Sequence, residues 1–241
     1  MSEKSRQQNV LRRPVAFALA SVGLALAGGA TSVAAVWPFS NDDVAGMASV
    51  VDGDTIDIGS QRIRLEGIDA PEAAQSCGSR EGGNWACGHA AAEALAKMIG
   101  KRRVTCRSAG MDKYDRLLGI CSADGVVINA EMVRRGYAWA FVKYSTRYIK
   151  EEADARTAAA GIWQGVAEPA WVYREKRWKV VEGDAPKGCA IKGNITENGQ
   201  IYHMPWSPWY GRVRVDANRG ERWFCSESEA QSAGWRSAGL R

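Results

Sequence analysis

The chain has 241 residues, of which 46% are apolar and 24% charged. This composition is typical of globular proteins and excludes both wholesale disorder and a polytopic membrane protein. The net charge of +5 divides into +3 for residues 1–35, +3 for residues 187–241 and therefore −1 for residues 36–186. Overall charge does not indicate a nucleic-acid partner, so any attraction for phosphate must come from local clusters.

The N-terminal stretch has the pattern of an export signal. Four basic residues precede an uncharged apolar segment over residues 15–36, which is the order of such signals. Ser32-Val33-Ala34 or Val33-Ala34-Ala35 would suit a signal peptidase, whereas an uncut segment is long enough to span a bilayer. A buried core helix is a third interpretation. We expect residues 1–36 to be a signal peptide or an inner-membrane anchor, with the rest exported to the periplasm or secreted.

The cysteines form three neighbouring pairs along the chain. An even number of cysteines in an exported protein predicts disulfides, although six cysteines allow about 15 connectivities. The expected pairing joins neighbours, as Cys77–Cys87, Cys106–Cys121 and Cys189–Cys225. The alternative is a zinc site at Cys189, Cys225 and His203, but this spacing matches no zinc-finger rule.

The first elements after a polar linker at residues 40–43 are predicted strands. Residues 44–70 alternate between apolar and polar and contain Asp-Gly and Gly-Ser turns, which predicts a three-stranded meander. Residues 86–99 have helical spacing, and residues 102–108 and 117–129 predict a second strand pair.

Two further helices complete this unit. Asn129 is expected to cap a short helix over residues 130–138, and a last helix is expected over residues 148–163. Five strands with a helix between the first three and the last two predict an α+β domain over residues 44–166. The pattern is that of an OB-fold barrel capped by helices.

Charged residues are concentrated on the first hairpin and the loop that follows it. They are Asp52, Asp54, Asp69, Glu72, Arg62 and Arg64. Asp52 belongs to an Asp-Gly turn, and Arg62 is interpreted as an outward strand residue. Three remaining carboxylates that converge would repel each other, and a hard divalent cation with oxygen ligands is the usual resolution.

Several motifs, in order and at matching spacing over about residues 46–165, resemble the staphylococcal nuclease (thermonuclease) family. They are Asp52-Gly53-Asp54-Thr55, Arg64 with Asp69-Ala70-Pro71-Glu72, Asp112-Lys113-Tyr114-Asp115-Arg116, and Gly161-Ile162-Trp163. The resemblance implies a Ca²⁺-dependent nuclease acting on DNA and RNA, single strands preferred, and we expect a monomer.

The resemblance also implies roles for individual residues. Asp54, Asp69 and the backbone carbonyl of Ala70 would hold Ca²⁺, where the family's best-known member has threonine at the position of Ala70. Glu72 would align or deprotonate the attacking water, and Arg64 and Arg116 would stabilise charge on the phosphoryl group.

Alternatives remain open for the arginines and for the substrate contacts. Arg64 could be a solvated surface residue, and the sole role of Arg116 could be an ion pair with Asp112 or Asp115. The resemblance implies that Lys113, Tyr114 and Tyr144 contact the nucleotide, but Tyr144 could equally cap the barrel.

The C-terminal part has a different composition. Residues 167–186 are a partly basic connector, and residues 187–241 form a small aromatic-rich module, for which a Cys189–Cys225 disulfide would be a staple. The module resembles the "sunset" type, related in pattern to Ada-type proteins and often appended to thermonuclease-like domains. Its aromatic residues fit either a core or a stacking platform.

Two functions of different classes follow. The first is an exported nuclease that hydrolyses phosphodiester bonds with Ca²⁺. The alternative is a non-catalytic envelope protein that binds nucleic acid or exopolysaccharide in a succinoglycan-type context. The presence of Asp54, Arg64, Asp69, Glu72 and Arg116 together favours the first, since a binding module is free to lose any of them.

Overall fold

The computed structural model describes residues 43–112, 116–182 and 185–239. The predicted export segment over residues 1–36 and the predicted substrate contacts Lys113 and Tyr114 lie outside these residues. Among the described residues, no helix has the length and apolar character needed to cross a membrane.

The described chain contains fourteen strands and five α-helices. The strands are β1 Val44–Val50, β2 Thr55–Ile58, β3 Gln61–Leu65, β4 Ile68–Asp69, β5 Cys77–Gly78, β6 Asn84–Trp85, β7 Arg103–Met111, β8 Leu117–Ala123, β9 Val126–Val127, β10 Trp139–Ala140, β11 Ile191–Thr196, β12 Gly199–His203, β13 Arg222–Phe224 and β14 Arg236–Ser237. The helices are α1 Cys87–Ile99, α2 Ile128–Arg134, α3 Ile149–Thr157, α4 Ala170–Glu182 and α5 Glu227–Ser232.

Five strands form a closed barrel, which confirms the predicted OB-type fold. They follow the order β3-β2-β1-β7-β8, and β8 returns to pair with β3. This closing pair is parallel, whereas the other pairs of the barrel are antiparallel. Closure removes the exposed strand edges, and it brings β8 next to β3 of the first hairpin.

The barrel core comes from the alternating apolar residues of the strands. Ile56, Ile63 and Leu65 are each at most 1% exposed, which confirms the predicted inward face of the meander. The helix α1 lies between the two groups of strands in sequence and buries Ala91 and Leu95 against this core.

The structure corrects two of the helix predictions. Asn129 does not cap a helix, because α2 begins at Ile128 and Asn129 is fully buried within its first turn. Its side chain instead accepts a hydrogen bond from the Cys121 backbone and donates to the Glu66 and Gly119 carbonyls. The last predicted helix is shorter than expected, because α3 ends at Thr157 and a separate 3₁₀ turn covers Gly161–Gln164.

All three predicted disulfides are confirmed. Cys77–Cys87 closes the loop before α1, Cys106–Cys121 joins directly paired residues of β7 and β8, and Cys189–Cys225 lies in the C-terminal part. A disulfide uses both thiols, so the zinc alternative at Cys189, Cys225 and His203 does not hold.

The C-terminal part contains a four-stranded sheet of its own. Its order is β13-β11-β12-β14, and its apolar side packs Ile191, Tyr202, Phe224 and Trp235 together. The helix α4 covers most of the predicted connector and leads into this sheet. The described residues nevertheless belong to one compact unit, so the boundaries at residues 166 and 186 stay a prediction.

Candidate functional site

The two aspartates of the site are held at strand ends. Asp54 immediately precedes β2, where the Asp52 carboxylate accepts a hydrogen bond of 3.0 Å from its backbone N–H. Asp69 is the last residue of β4, which pairs with β10. Asp54 is 4% exposed and Asp69 is 0% exposed, so both carboxylates are buried and need partners.

Arg64 is the first of these partners. It lies on β3 with Thr55 of β2 as its neighbour across the pair. Its guanidinium donates to Asp54 Oδ1 at 2.7 Å and to Asp69 Oδ1 at 2.8 Å. Arg64 is therefore a largely enclosed member of the site with a side chain 16% exposed, and the alternative of a solvated surface residue is wrong.

Glu72 lies in an irregular loop that a buried glutamine holds in place. The Gln75 side chain accepts a hydrogen bond from the Glu72 backbone N–H at 3.1 Å and donates to the Glu168 carbonyl at 2.6 Å. Gln75 is 1% exposed. The sequence analysis missed this residue, because a lone glutamine in a loop carries no pattern that predicts a structural role.

Arg174 of α4 also enters the acid group, and the sequence analysis missed it. Its guanidinium donates to both oxygens of Asp69, at 3.0 and 2.8 Å, and to Glu72 Oε1 at 2.6 Å. The sequence contains only one weak signal for it, because it is one of several basic residues in the predicted connector over residues 167–186.

Arg116 and Tyr144 line the same cleft as the acids. Arg116 donates to the Asp112 carboxylate at 2.7 Å, so the pairing considered as an alternative does occur. Asp54 lines the cleft as well, so the guanidinium and this carboxylate share one opening. Tyr144 is 70% exposed and its ring meets Phe141 edge-on at 4.8 Å, as expected for a residue at a cleft rim.

The cleft itself has a volume of about 650 Å³. One part of its lining comes from the barrel and includes Asp54, Arg64 and Glu72. Another part comes from the C-terminal region and includes Met204 and Trp206. The cleft is thus built by residues on both sides of α4 in the sequence.

Burial and charge shift the pKa values of the acids in opposite directions. Burial raises the pKa of Asp52 to about 7, aided by the negative charge of Asp54. Burial also raises the pKa of Glu72 to about 8, against the opposing effect of Arg174. Burial acts in the same sense on Asp54, but Arg64 and the Ala70 N–H outweigh it and lower the Asp54 pKa.

The acids suit a hard cation in their chemistry but not in their described arrangement. Carboxylate oxygens are the ligands that Ca²⁺ prefers. Here, however, Asp54 accepts from Arg64 and from the Ala70 N–H, and Asp69 accepts from Arg64 and Arg174. Within the described ranges, no group of three or more His, Cys, Asp or Glu residues is arranged to hold a metal ion.

Comparison with known families identifies two matching stretches. Residues 62–165 match the family model of staphylococcal nuclease homologues. Residues 179–237 match the family model named ArfC, rather than the sunset-type module that the sequence resembles.

Several relatives with curated descriptions match about half of the chain. The "Succinoglycan biosynthesis protein ExoI" of Rhizobium meliloti (strain 1021) is 37% identical over 142 residues, which covers 56% of this chain and 73% of the relative. An "Uncharacterized endonuclease" of Escherichia coli O157:H7 is 31% identical over 150 residues, covering 58% and 92%. A "Micrococcal nuclease" of Shigella flexneri is 32% identical over 143 residues, covering 52% and 76%.

Proposed function

Because this chain belongs to the family of staphylococcal nuclease homologues, we propose that it hydrolyses phosphodiester bonds in DNA and RNA. One observation carries the proposal: the acids and the arginine expected from the family motifs lie together. Asp54, Glu72 and Arg64 line one cleft, and the buried Asp69 accepts a hydrogen bond from Arg64. Acids that orient water beside cations that neutralise phosphate are what such a hydrolysis requires.

Glu72 is the residue that orients and deprotonates the attacking water. Its pKa of about 8 lies close to neutral pH, where a general base is most effective. Gln75 fixes the loop that carries it, so its carboxylate has a defined position in the cleft.

Arg64 and Arg116 neutralise the charge that grows on the phosphoryl oxygens. A guanidinium has five N–H donors in a fixed fork, and Arg64 uses two of its nitrogens to hold Asp54 and Asp69. The same ion pairs fix its orientation, so its remaining donors are positioned before substrate arrives. Arg116 is fixed in a similar way by Asp112.

The dependence on Ca²⁺ that the family resemblance implies stays a prediction. Asp54, Asp69 and the Ala70 carbonyl are the proposed ligands, but the acids are bound by guanidinium groups in the described arrangement.

Single-stranded nucleic acid fits the cleft better than duplex. Tyr144 and Trp206 both line it, and aromatic rings stack on bases that are unpaired and unstacked. Lys113 and Tyr114 are proposed as further contacts.

Export of the protein is supported by its disulfides, since these persist in oxidising compartments. Three disulfides and no free cysteines occur among the described residues. We propose a periplasmic or secreted monomer, anchored at the membrane only if residues 1–36 are retained.

The test is digestion of labelled single-stranded DNA and RNA by the exported protein, with calcium and with a chelator. We expect cleavage in calcium, its loss in chelator, and a fall in turnover of at least about a hundredfold for Glu72→Gln, the usual scale for a positioned base. Glu93→Gln, an exposed acid of α1, is the matched control and should cleave normally.

Two results would contradict the proposal. Wild-type turnover by Glu72→Gln would remove Glu72 from the chemistry. No cleavage in calcium, together with retained binding of nucleic acid or exopolysaccharide, would favour the non-catalytic envelope protein instead.

A further inference from the structure

Arg174 lies outside the stretch that matches the nuclease family, yet it contacts two acids of the cleft. The family match ends at residue 165. The Arg174 side chain is only 21% exposed and forms ion pairs with Asp69 at 2.8 Å and with Glu72 at 2.6 Å. These contacts span more than a hundred residues of sequence, so they belong to the tertiary structure and not to the local helix.

The helix that carries Arg174 is fixed on both sides of it. Trp171, three residues earlier, stacks on Phe141 with ring centroids 5.5 Å apart. Trp178, four residues later, packs against Trp206 with centroids 6.3 Å apart. Residues three and four apart share one face of a helix, so one face of α4 directs Trp171, Arg174 and Trp178 toward the rest of the protein.

The position of Arg174 conflicts with a cation bound to the same acids. Asp69 is fully buried, and a buried carboxylate needs a compensating charge. Arg174 supplies one by donating to both Asp69 oxygens and to Glu72. A divalent cation on these oxygens would supply the same charge, but it would be repelled by a guanidinium at hydrogen-bonding distance.

We propose that Arg174 is a resident counter-cation of the acid group, and that a divalent cation binds Asp69 only after Arg174 withdraws. Arg174 thereby sets the cation affinity of the site. The inference rests on the proposed function for its choice of cation, but it concerns binding and can be tested without catalysis.

The experiment measures Ca²⁺ binding to the full chain by calorimetry, for the wild type and for Arg174→Gln. We expect the variant to bind Ca²⁺ at least about tenfold more tightly, because the competing charge-assisted hydrogen bonds are gone. The matched control is Arg177→Gln, which removes an exposed arginine of the same helix that lies over the Tyr173 ring. It should bind Ca²⁺ as the wild type does.

Thermal unfolding gives a second readout that a purely structural role would not produce. Without Ca²⁺, Arg174→Gln should melt at a lower temperature than the wild type, because Asp69 has lost a partner. Saturating Ca²⁺ should then raise its melting temperature by more than it raises that of the wild type. If Arg174→Gln does not fold, Arg174→Lys replaces it, since lysine keeps the charge but lacks the guanidinium fork. A several-fold gain in affinity is expected for that variant.

Equal Ca²⁺ affinity in the wild type and the variants, including no binding by any of them, would overturn the proposal. Weaker Ca²⁺ binding by Arg174→Gln would also overturn it, and would make Arg174 a support of the site instead. Tighter Ca²⁺ binding by Arg174→Gln in a protein that cleaves no nucleic acid would refute the nuclease function and leave the role of Arg174 intact.

Discussion

Gly88, the second residue of α1, lies directly against the loop that carries Glu72. A Cβ atom at this position would be 1.7 Å from the Glu72 carbonyl oxygen and 2.6 Å from its carbonyl carbon. Both neighbours are backbone atoms, which cannot rotate away as the end of a side chain can. The absence of a side chain at Gly88 therefore allows Glu72 to occupy its place in the cleft.

We predict that Gly88→Ala displaces the Glu72 loop. The change should cost about 1–3 kcal/mol of unfolding free energy, the usual range for overpacking, and lower the turnover by more than about tenfold. Denaturant unfolding and the single-strand digestion assay measure the two effects. Gly211→Ala is the control, since its Cβ would meet nothing within 4 Å. Normal activity of Gly88→Ala would mean that the loop position is not critical.

At the scale of residues, the sequence predicted those members of the site that belong to a recognisable motif. Asp54, Arg64, Asp69 and Glu72 were identified because their order and spacing resemble a known family, and ion pairs made by Arg64 and Arg174 hold them together in the structure. Asn129 was misplaced because a polar residue before a helix is typical of a cap, and its burial depends on the tertiary structure. Gln75 and Arg174 were missed because their partners are about a hundred residues away.

At the scale of elements, the Cys77–Cys87 disulfide connects β5 to the first residue of α1. It closes a loop with a sequence separation of 10. The helix it anchors is the one whose Gly88 contacts the Glu72 backbone. The disulfide thus stabilises the chain and also fixes the surface on which the Glu72 loop rests.

We predict that replacing Cys77 and Cys87 with serine lowers both stability and activity. The unfolding free energy should fall by about 2–3 kcal/mol, as expected for a loop of this length, and the turnover should fall with it. The control is the serine pair at Cys106 and Cys121, whose sequence separation of 15 is similar. That pair joins two barrel strands, so it should lose comparable stability but keep more activity. Equal loss of activity in both variants would contradict the prediction.

The elements themselves were largely predictable, whereas their roles were not. Alternating apolar residues predicted the strands of the barrel, and 3.6-residue spacing predicted α1. The connector over residues 167–186 showed no more than a partly basic amphipathic pattern, and its helix α4 proves to carry a residue of the site. Periodicity indicates that a helix forms, but it does not indicate what the helix docks on.

At the scale of the whole molecule, the cleft includes residues of the C-terminal region. Trp206 lines it together with the acids of the barrel. We predict that Trp206→Ala raises KM for single-stranded DNA by about tenfold, within the range of one base–aromatic stack, and reduces the preference for single strands over duplex. Steady-state kinetics on matched single-stranded and duplex substrates measure both quantities.

The control for Trp206 is Trp209→Ala. Trp209 is 36% exposed and belongs to the same region, but it is not part of the cleft lining. It should leave both KM and the strand preference unchanged. If both tryptophan variants behave alike, the C-terminal region stabilises the protein without contacting substrate.

Whole-molecule features were the hardest to obtain from sequence. The pattern of strands predicted an OB-type barrel, but nothing in that pattern indicates that β3 and β8 pair in parallel to close it. The two composition classes on either side of residue 186 predicted separate domains. Residues from both parts nevertheless line one cleft. This could not be predicted, because the packing of two distant segments against each other produces no periodic pattern in the sequence of either.

The contact of Arg174 with Asp69 has a consequence for how this protein can be recombined with its relatives. Exchange of the segment that matches the family, residues 62–165, would separate Asp69 and Glu72 from an arginine that has formed ion pairs with them. A chimaera joined at that boundary would contain Asp69 and Glu72 from one parent, but not the Arg174 with which they form ion pairs in this protein. The segment that must be exchanged as a whole to keep this site therefore extends at least to the second turn of α4, beyond the segment by which the family is recognised.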